Sequence, residues 1–243
     1  MVTGTYEFIV PVSGLRLEQI GIAYPHPSVE KIVLDTHDEK QITVVFHLTD
    51  VFTEEVADAV ARDILASIIN RLAFELDLSI GEPHLSGFSL PKDASGSSYT
   101  VSKSVLAMWD VLAPTIVVDA PRQQELAMLL EQPFARADLQ SAYRFAINQS
   151  DAVARFMFLY NILLQLHNDE QGQVDDFFRV RTVSISQSPR PDKPHIMETV
   201  YTRLRNEVSH TRAGVTPDQT RTEIAANVAA FQALEKVAIS QAV

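Results

Sequence analysis

Residues 53–76 read TEEVADAVARDILASIINRLAFEL, and this stretch decides how the first half of the chain folds. Thr53 offers a side-chain oxygen as a helix cap, as Asp50 does just before it. Glu54 and Glu55 put negative charge into the first turn, where it complements the helix dipole. Val56, Val60, Ile64, Ile68, Leu72 and Leu76 recur every four residues, and Leu65, Ile69 and Ala73 widen the stripe. A helix gathers these side chains on one face, so it must lie on an apolar surface. The flanking segments provide that surface. Residues 6–12, 15–23, 31–34 and 42–48 are rich in β-branched and aromatic side chains, broken by Ser13-Gly14 and by the polar run 35–40. Segments 83–90 and 98–109 read as two more strands, joined by the loop-forming PKDASGS of residues 91–97. Residues 1–118 are thus expected to form an α+β domain, a small antiparallel or mixed sheet carrying one long helix.

The 243 residues are 46% hydrophobic and 21% charged, a composition that excludes a wholly disordered or fibrous chain. No apolar run reaches the roughly 18–20 residues a bilayer crossing requires; the richest, residues 156–166, is interrupted by Tyr160, Asn161 and Gln165. The opening MVTGTYEFIV lacks the basic region and cleavage site of a secretory signal, so a cytoplasmic protein without membrane partners is the default expectation. Without cysteine there are no disulfides, thiolate metal sites or cysteine nucleophiles.

Twenty basic and 31 acidic residues leave a net charge of −11, which argues against a surface that coats nucleic acid generally. The charge is unevenly spread. Residues 1–110 carry 7 basic and 16 acidic side chains, net −9, and residues 111–243 carry 13 and 15, net −2. Within residues 177–212, Arg179, Arg181, Arg190, Lys193, Arg203, Arg205 and Arg212 stand against Asp192, Glu198 and Glu207. The acidic N-terminal domain suits a protein partner; the window is locally basic.

From Pro114 the character changes: the short apolar piece 115–118 leads to Asp119-Ala120-Pro121, after which helical periodicity takes over, and a second domain is expected over residues 119–243. Pro121 suits a first helical turn, Leu126, Leu129 and Leu130 give a face, and Leu139, Tyr143 and Ile147 give the next. A long helix follows over residues 151–167, apolar around much of its circumference through Val153, Phe156, Met157, Tyr160, Leu163, Leu164 and Leu166, as the centre of a bundle would be. Residues 169–173 break it, and the proline-rich 186–194 reads as a linker. Ile196, Val200, Leu204 and Val208, with Met197 and Tyr201 beside them, make a stripe ending near Gly214. Thr216-Pro217-Asp218-Gln219 then opens a last helix with a capping box, its core face formed by Ile224, Val228, Phe231 and Leu234.

The segment with chemical potential is Arg205-Asn206-Glu207-Val208-Ser209-His210. Arg190 and His195 repeat its spacing, but in the proline-rich stretch, and that copy is set aside for want of a rigid frame. An arginine followed by a polar residue, three residues and a histidine, at the end of an amphipathic helix and after a long apolar helix, resembles the signature of the HEPN superfamily, in particular its Apea-like branch. Residues 201–210, YTRLRNEVSH, carry the resemblance, and residues 158–163, FLYNIL, do so more loosely. It covers about residues 121–240; the stretch between Glu170 and Pro194 departs from compact members of the family.

The resemblance implies an all-α HEPN-like bundle, a homodimer in which two motifs face each other, and, in active members, metal-independent cleavage of RNA in defence or toxin–antitoxin systems. Other members are non-catalytic nucleotide-binding or dimerisation modules. Neither a cofactor nor a metal is implied. The residue types suit the reaction. His210 can take a proton from a ribose 2′-hydroxyl, Arg205 can stabilise charge on phosphoryl oxygens, and Asn206 can orient either His210 or the phosphate. Arg203 and Arg212 are the expected substrate-binding residues.

Helical geometry raises an obstacle: at 100° per residue, Arg205 and His210 point about 140° apart. Either the helix unwinds before His210, or the Arg of one subunit meets the His of another. Simpler roles also stay open, with His210 as a cation at a helix C-terminus and Arg205 paired to Glu198 or Glu207. His26, His37, His47, His84 and His167 lack metal-ligand spacing, while Asp169-Glu170 and Asp175-Asp176 read first as a solvated loop, with binding a cation or balancing the arginines as the alternatives. Ser97 and Ser98 follow a glycine without a nucleophile-elbow pattern, and no phosphate-cradling glycine loop occurs.

Overall fold

A computed structural model describes residues 2–105, 114–132, 136–182, 184–210, 212 and 214–242. The part of the expected strand 98–109 beyond residue 105 lies outside the described residues. The chain forms two compact units, Met1–Ala137 and Asp138–Val243.

In the first unit, β1 (Thr3–Pro11), β3 (Ile20–Ile22), β4 (Val29–Asp38), β5 (Gln41–Thr49), β6 (His84–Pro91) and β7 (Ser98–Ser102) form an antiparallel sheet in the order β3-β4-β5-β1-β6-β7. Strand periodicity sends alternate residues to one face, and the register Tyr6↔Phe46, Phe8↔Val44 and Val10↔Ile42 buries all six side chains completely. Helix α1 (Glu54–Leu76) covers that face, and Tyr6 donates its hydroxyl to Asp58 of the helix at 3.0 Å.

Thr53 caps α1 as expected, and Ile64, Leu65, Ile68, Ile69, Leu72 and Ala73 of the expected stripe are buried, but in the first turns the buried face differs. Ala57 and Ala61 are buried, whereas Val56 is 51% exposed. Small side chains let the first turns of the helix approach the sheet, which a valine would hold off. Residues 15–23 do not make one strand. They divide into β2 (Leu15–Arg16), which pairs in parallel with β8 (Ile116–Val117), and β3. Of the polar run 35–40 only residues 39–40 form the turn, because β4 continues through Asp38.

Helix α2 (Ala120–Leu130), capped by Asp119, packs on β3 and α1. Glu131 accepts the Ala23 N–H at 3.0 Å, and Arg122 lies 3.7 Å from Glu75. This first unit therefore extends past the boundary drawn at residue 118 in the sequence.

The second unit contains α3 (Ala137–Ile147), α4 (Ala152–Leu166), α5 (Gln171–Arg181), the hairpin β9 (Gln187–Arg190) and β10 (Lys193–Thr199), α6 (Val200–Ser209) and α7 (Pro217–Gln241). Phe231 of α7 gathers its core: its ring lies 4.7 Å from Phe156, 4.9 Å from Tyr201 and 5.7 Å from Phe178. The capping box at Thr216 and Gln219 forms as expected.

One feature corrects the all-helical expectation for this half, and one helix was not read in the sequence. Residues 186–194 are a hairpin instead of a linker, with Pro189 placed where β9 lies at the edge of a two-stranded sheet. Residues 171–181 are helical, although their apolar stripe is reduced to Val174 and Phe178. The hairpin also takes Ile196 and Met197, so α6 starts at Val200; Ile196, Met197 and Val208 are about 40% exposed. The whole is a mixed α+β protein, and no described helix is long and apolar enough to cross a membrane.

Candidate functional site

Helix α6 starts at a polar layer inside the second unit. Thr199 caps it, receiving the Thr202 N–H, and itself donates both its backbone N–H and its hydroxyl to the buried Asp175 of α5, at 3.0 and 2.6 Å. Tyr160 of α4 shares a hydrogen bond of 2.8 Å with Thr202, and burial pushes the tyrosine hydroxyl above its ordinary range, so it stays protonated. These bonds set the axial position of α6, and with it that of Arg205 and Asn206 one to two turns on.

Helix α6 stops at Ser209. His210 has left helical geometry, at φ −143° and ψ 135°, while its N–H still closes the last turn on the Asn206 carbonyl at 2.9 Å. The extended residue redirects the imidazole. Arg205 and His210 consequently line the same groove of about 620 Å³, despite their angular separation on a regular helix. The helix therefore ends before His210, the first of the two arrangements that the angular separation allows.

His210 is exposed, and no described residue hydrogen-bonds its imidazole. Arg205 is half-buried. Its Nη1 donates to the Asn206 side-chain oxygen at 3.1 Å, its Nε is buried without an acceptor, and it has no carboxylate partner among the described residues. The acids weighed against it in the sequence are engaged elsewhere. Glu198, 1% exposed, holds Arg212 through both carboxylate oxygens and accepts the Asn206 Nδ2 at 3.0 Å. Glu207 holds Arg203 at 2.8 Å and accepts the Thr220 hydroxyl at 3.0 Å, while Arg203 also pairs with Glu223.

These bonds sort the motif by role. Asn206 is buried with its amide committed to Glu198, Gln171 and Arg205, so it positions the guanidinium and does not reach an imidazole. Arg203 and Arg212, expected to bind substrate, line the groove but are neutralised by carboxylates whose side chains are only 3% and 2% exposed. Arg205 is the groove arginine left without a carboxylate among the described residues.

The structure also returns residues that the sequence reading passed over. Gln171, at the start of α5, donates to Asn206 at 3.0 Å. Arg190, set aside for lack of a frame, stands on the β9–β10 hairpin and lines the same groove, with Ser188 beside it. Its proline neighbours were the available signal, since two prolines flanking one residue suit a constrained hairpin as well as a linker. Asp175 serves as a buried acceptor and Asp176 pairs with Arg179 at 2.7 Å. Among the described residues no cluster of three or more His, Asp and Glu is arranged to hold a metal ion.

An exposed imidazole and an uncompensated guanidinium along one groove can bind an anionic group and exchange a proton beside it. No family model, curated protein or solved structure matches this chain.

Proposed function

We propose that the second unit is a HEPN-like ribonuclease site that cleaves RNA without a metal ion, as a defence or toxin-type enzyme of the cytoplasm. The supporting observation is that Arg205 and His210 both line one open groove, the first free of any described carboxylate partner and the second exposed. His210 removes the proton of a ribose 2′-hydroxyl. The alkoxide attacks the adjacent phosphorus while the bond to the 5′-oxygen breaks, and Arg205 stabilises the charge on the non-bridging oxygens. The products are a 2′,3′-cyclic phosphate and a 5′-hydroxyl, whose proton comes from a second acid. Pairing of two chains as a homodimer would place the partner's imidazole for that role, and the first unit would select the partner or substrate.

Incubation of the purified protein with mixed RNA in EDTA tests this. Cleavage abolished by both Arg205→Ala and His210→Ala is the expected result; unchanged cleavage in either variant overturns the mechanism. A second reading, a non-catalytic nucleotide-binding module, draws on the neutralisation of Arg203 and Arg212, which leaves the groove less basic than its arginine content suggests. Nucleotide binding that depends on Arg205, with no turnover of RNA, selects it.

A further inference from the structure

Four guanidiniums line the groove, those of Arg190, Arg203, Arg205 and Arg212, and they differ in how readily each can turn to an incoming anion. Arg203 and Arg212 face carboxylates that are almost wholly buried, and drawing either arginine away would strand a charge in the interior. Arg205 needs no release. Arg190 needs little: its partner, Asp192, lies two residues along at the hairpin tip, 2.7 Å away, and the two side chains are 35% and 56% exposed. Ion pairs so open to water are weak and exchange readily for a phosphate oxygen.

The two available arginines come from different elements, one from α6 and one from the hairpin, and look into one groove. Pro189 and Pro191 flank Arg190, fixing φ on both sides and limiting how far the tip can fold away. We infer that Arg190 is a second phosphate contact, binding the phosphodiester next to the one held by Arg205 and His210, so that the groove takes a single-stranded RNA rather than a mononucleotide. This rests on the ribonuclease reading and adds to it the hairpin wall, which nothing in the Arg-Asn-x3-His pattern supplies. In the free protein Asp192 is the anion that Arg190 holds.

The test measures binding of a fluorescently labelled oligoribonucleotide by anisotropy over a salt series, with the full chain carrying His210→Ala to prevent cleavage. Each phosphate neutralised on a single strand contributes about 0.7 to the slope of log affinity against log salt. Adding Arg190→Ala should lower that slope by about 0.7 and weaken oligonucleotide binding roughly tenfold at low salt, with nucleoside monophosphate binding unchanged. Asp192→Asn, which removes the competing acid, should tighten oligonucleotide binding.

An unchanged slope in Arg190→Ala, alongside weaker binding in Arg205→Ala, overturns the Arg190 assignment and leaves the ribonuclease reading standing. Equal weakening of monophosphate and oligonucleotide by Arg190→Ala also overturns it, because both arginines would then hold one phosphate. A parent chain that binds no oligonucleotide overturns both.

Discussion

The Asn206 side-chain oxygen accepts the Nη1–H of its neighbour Arg205 at 3.1 Å, while the same amide donates to the buried Glu198 at 3.0 Å. Asn206 thereby fixes the guanidinium to the interior of the helical unit. Asn206→Ala should leave Gln171 and Glu198 each short of a partner and cost about 1–3 kcal/mol. RNA cleavage should fall with it, since Arg205 loses its tether. Thermal unfolding and cleavage rates measured together check this; Gln171→Ala, which removes a single donor, should have the smaller effect on both.

Arg212 should prove a stability residue. Its loss leaves Glu198 charged and buried, so Arg212→Ala should destabilise the protein by about 3–5 kcal/mol. The double variant Glu198→Gln with Arg212→Met removes both charges and should recover much of that loss. Denaturant unfolding of the two variants provides the comparison, and an Arg212→Ala protein of unchanged stability with impaired RNA binding contradicts the assignment.

Glu235 of α7 is fully buried with neither oxygen hydrogen-bonded to a described residue, and burial raises its carboxyl well above the ordinary range. The folded chain therefore holds this proton more tightly than the unfolded chain. The stabilising effect is complete below the ordinary glutamate value and declines as pH rises through the raised one. Glu235→Leu should stabilise the protein by about 1–3 kcal/mol, by a larger margin near pH 8 than near pH 5. Melting curves at the two pH values decide it, and a margin that shrinks as pH rises contradicts the prediction.

Gly87 holds β6 close to β7, because a Cβ there would lie 2.7 Å from the Val101 carbonyl oxygen. Gly87→Ala should force the strands apart at a cost of about 1–3 kcal/mol. At Gly21 a Cβ meets nothing within 4 Å, so Gly21→Ala should be tolerated. Unfolding curves for the pair separate local crowding from a general intolerance of alanine in the sheet.

What the chain reveals by itself is local. Thr53 and Thr216, read as caps, each cap the helix that follows, because a cap needs only a short polar side chain and the next turn's N–H groups; Asp119 and Asp151, not read as caps, do the same. The sheet, the long helix on it and the shift to helices after Pro121 follow from periodicity in the same way. The hairpin at residues 187–199 and helix α5 were not legible. Prolines at Pro189 and Pro191 mask a strand edge, and α5 buries Asp175 where an apolar residue would mark the face.

The motif itself was readable, but its allocation of charge was not. The sequence reading gave Arg205 a catalytic role and Arg203 and Arg212 substrate binding, with Glu198 and Glu207 as candidate partners of Arg205. Tertiary packing paired Glu198 with Arg212 and Glu207 with Arg203, left Arg205 free of a described carboxylate, and brought Arg190 to the same groove from the hairpin. Ion pairing depends on which side chains meet within about 4 Å after burial, a distance set by the packing of separate elements and not by their order along the chain.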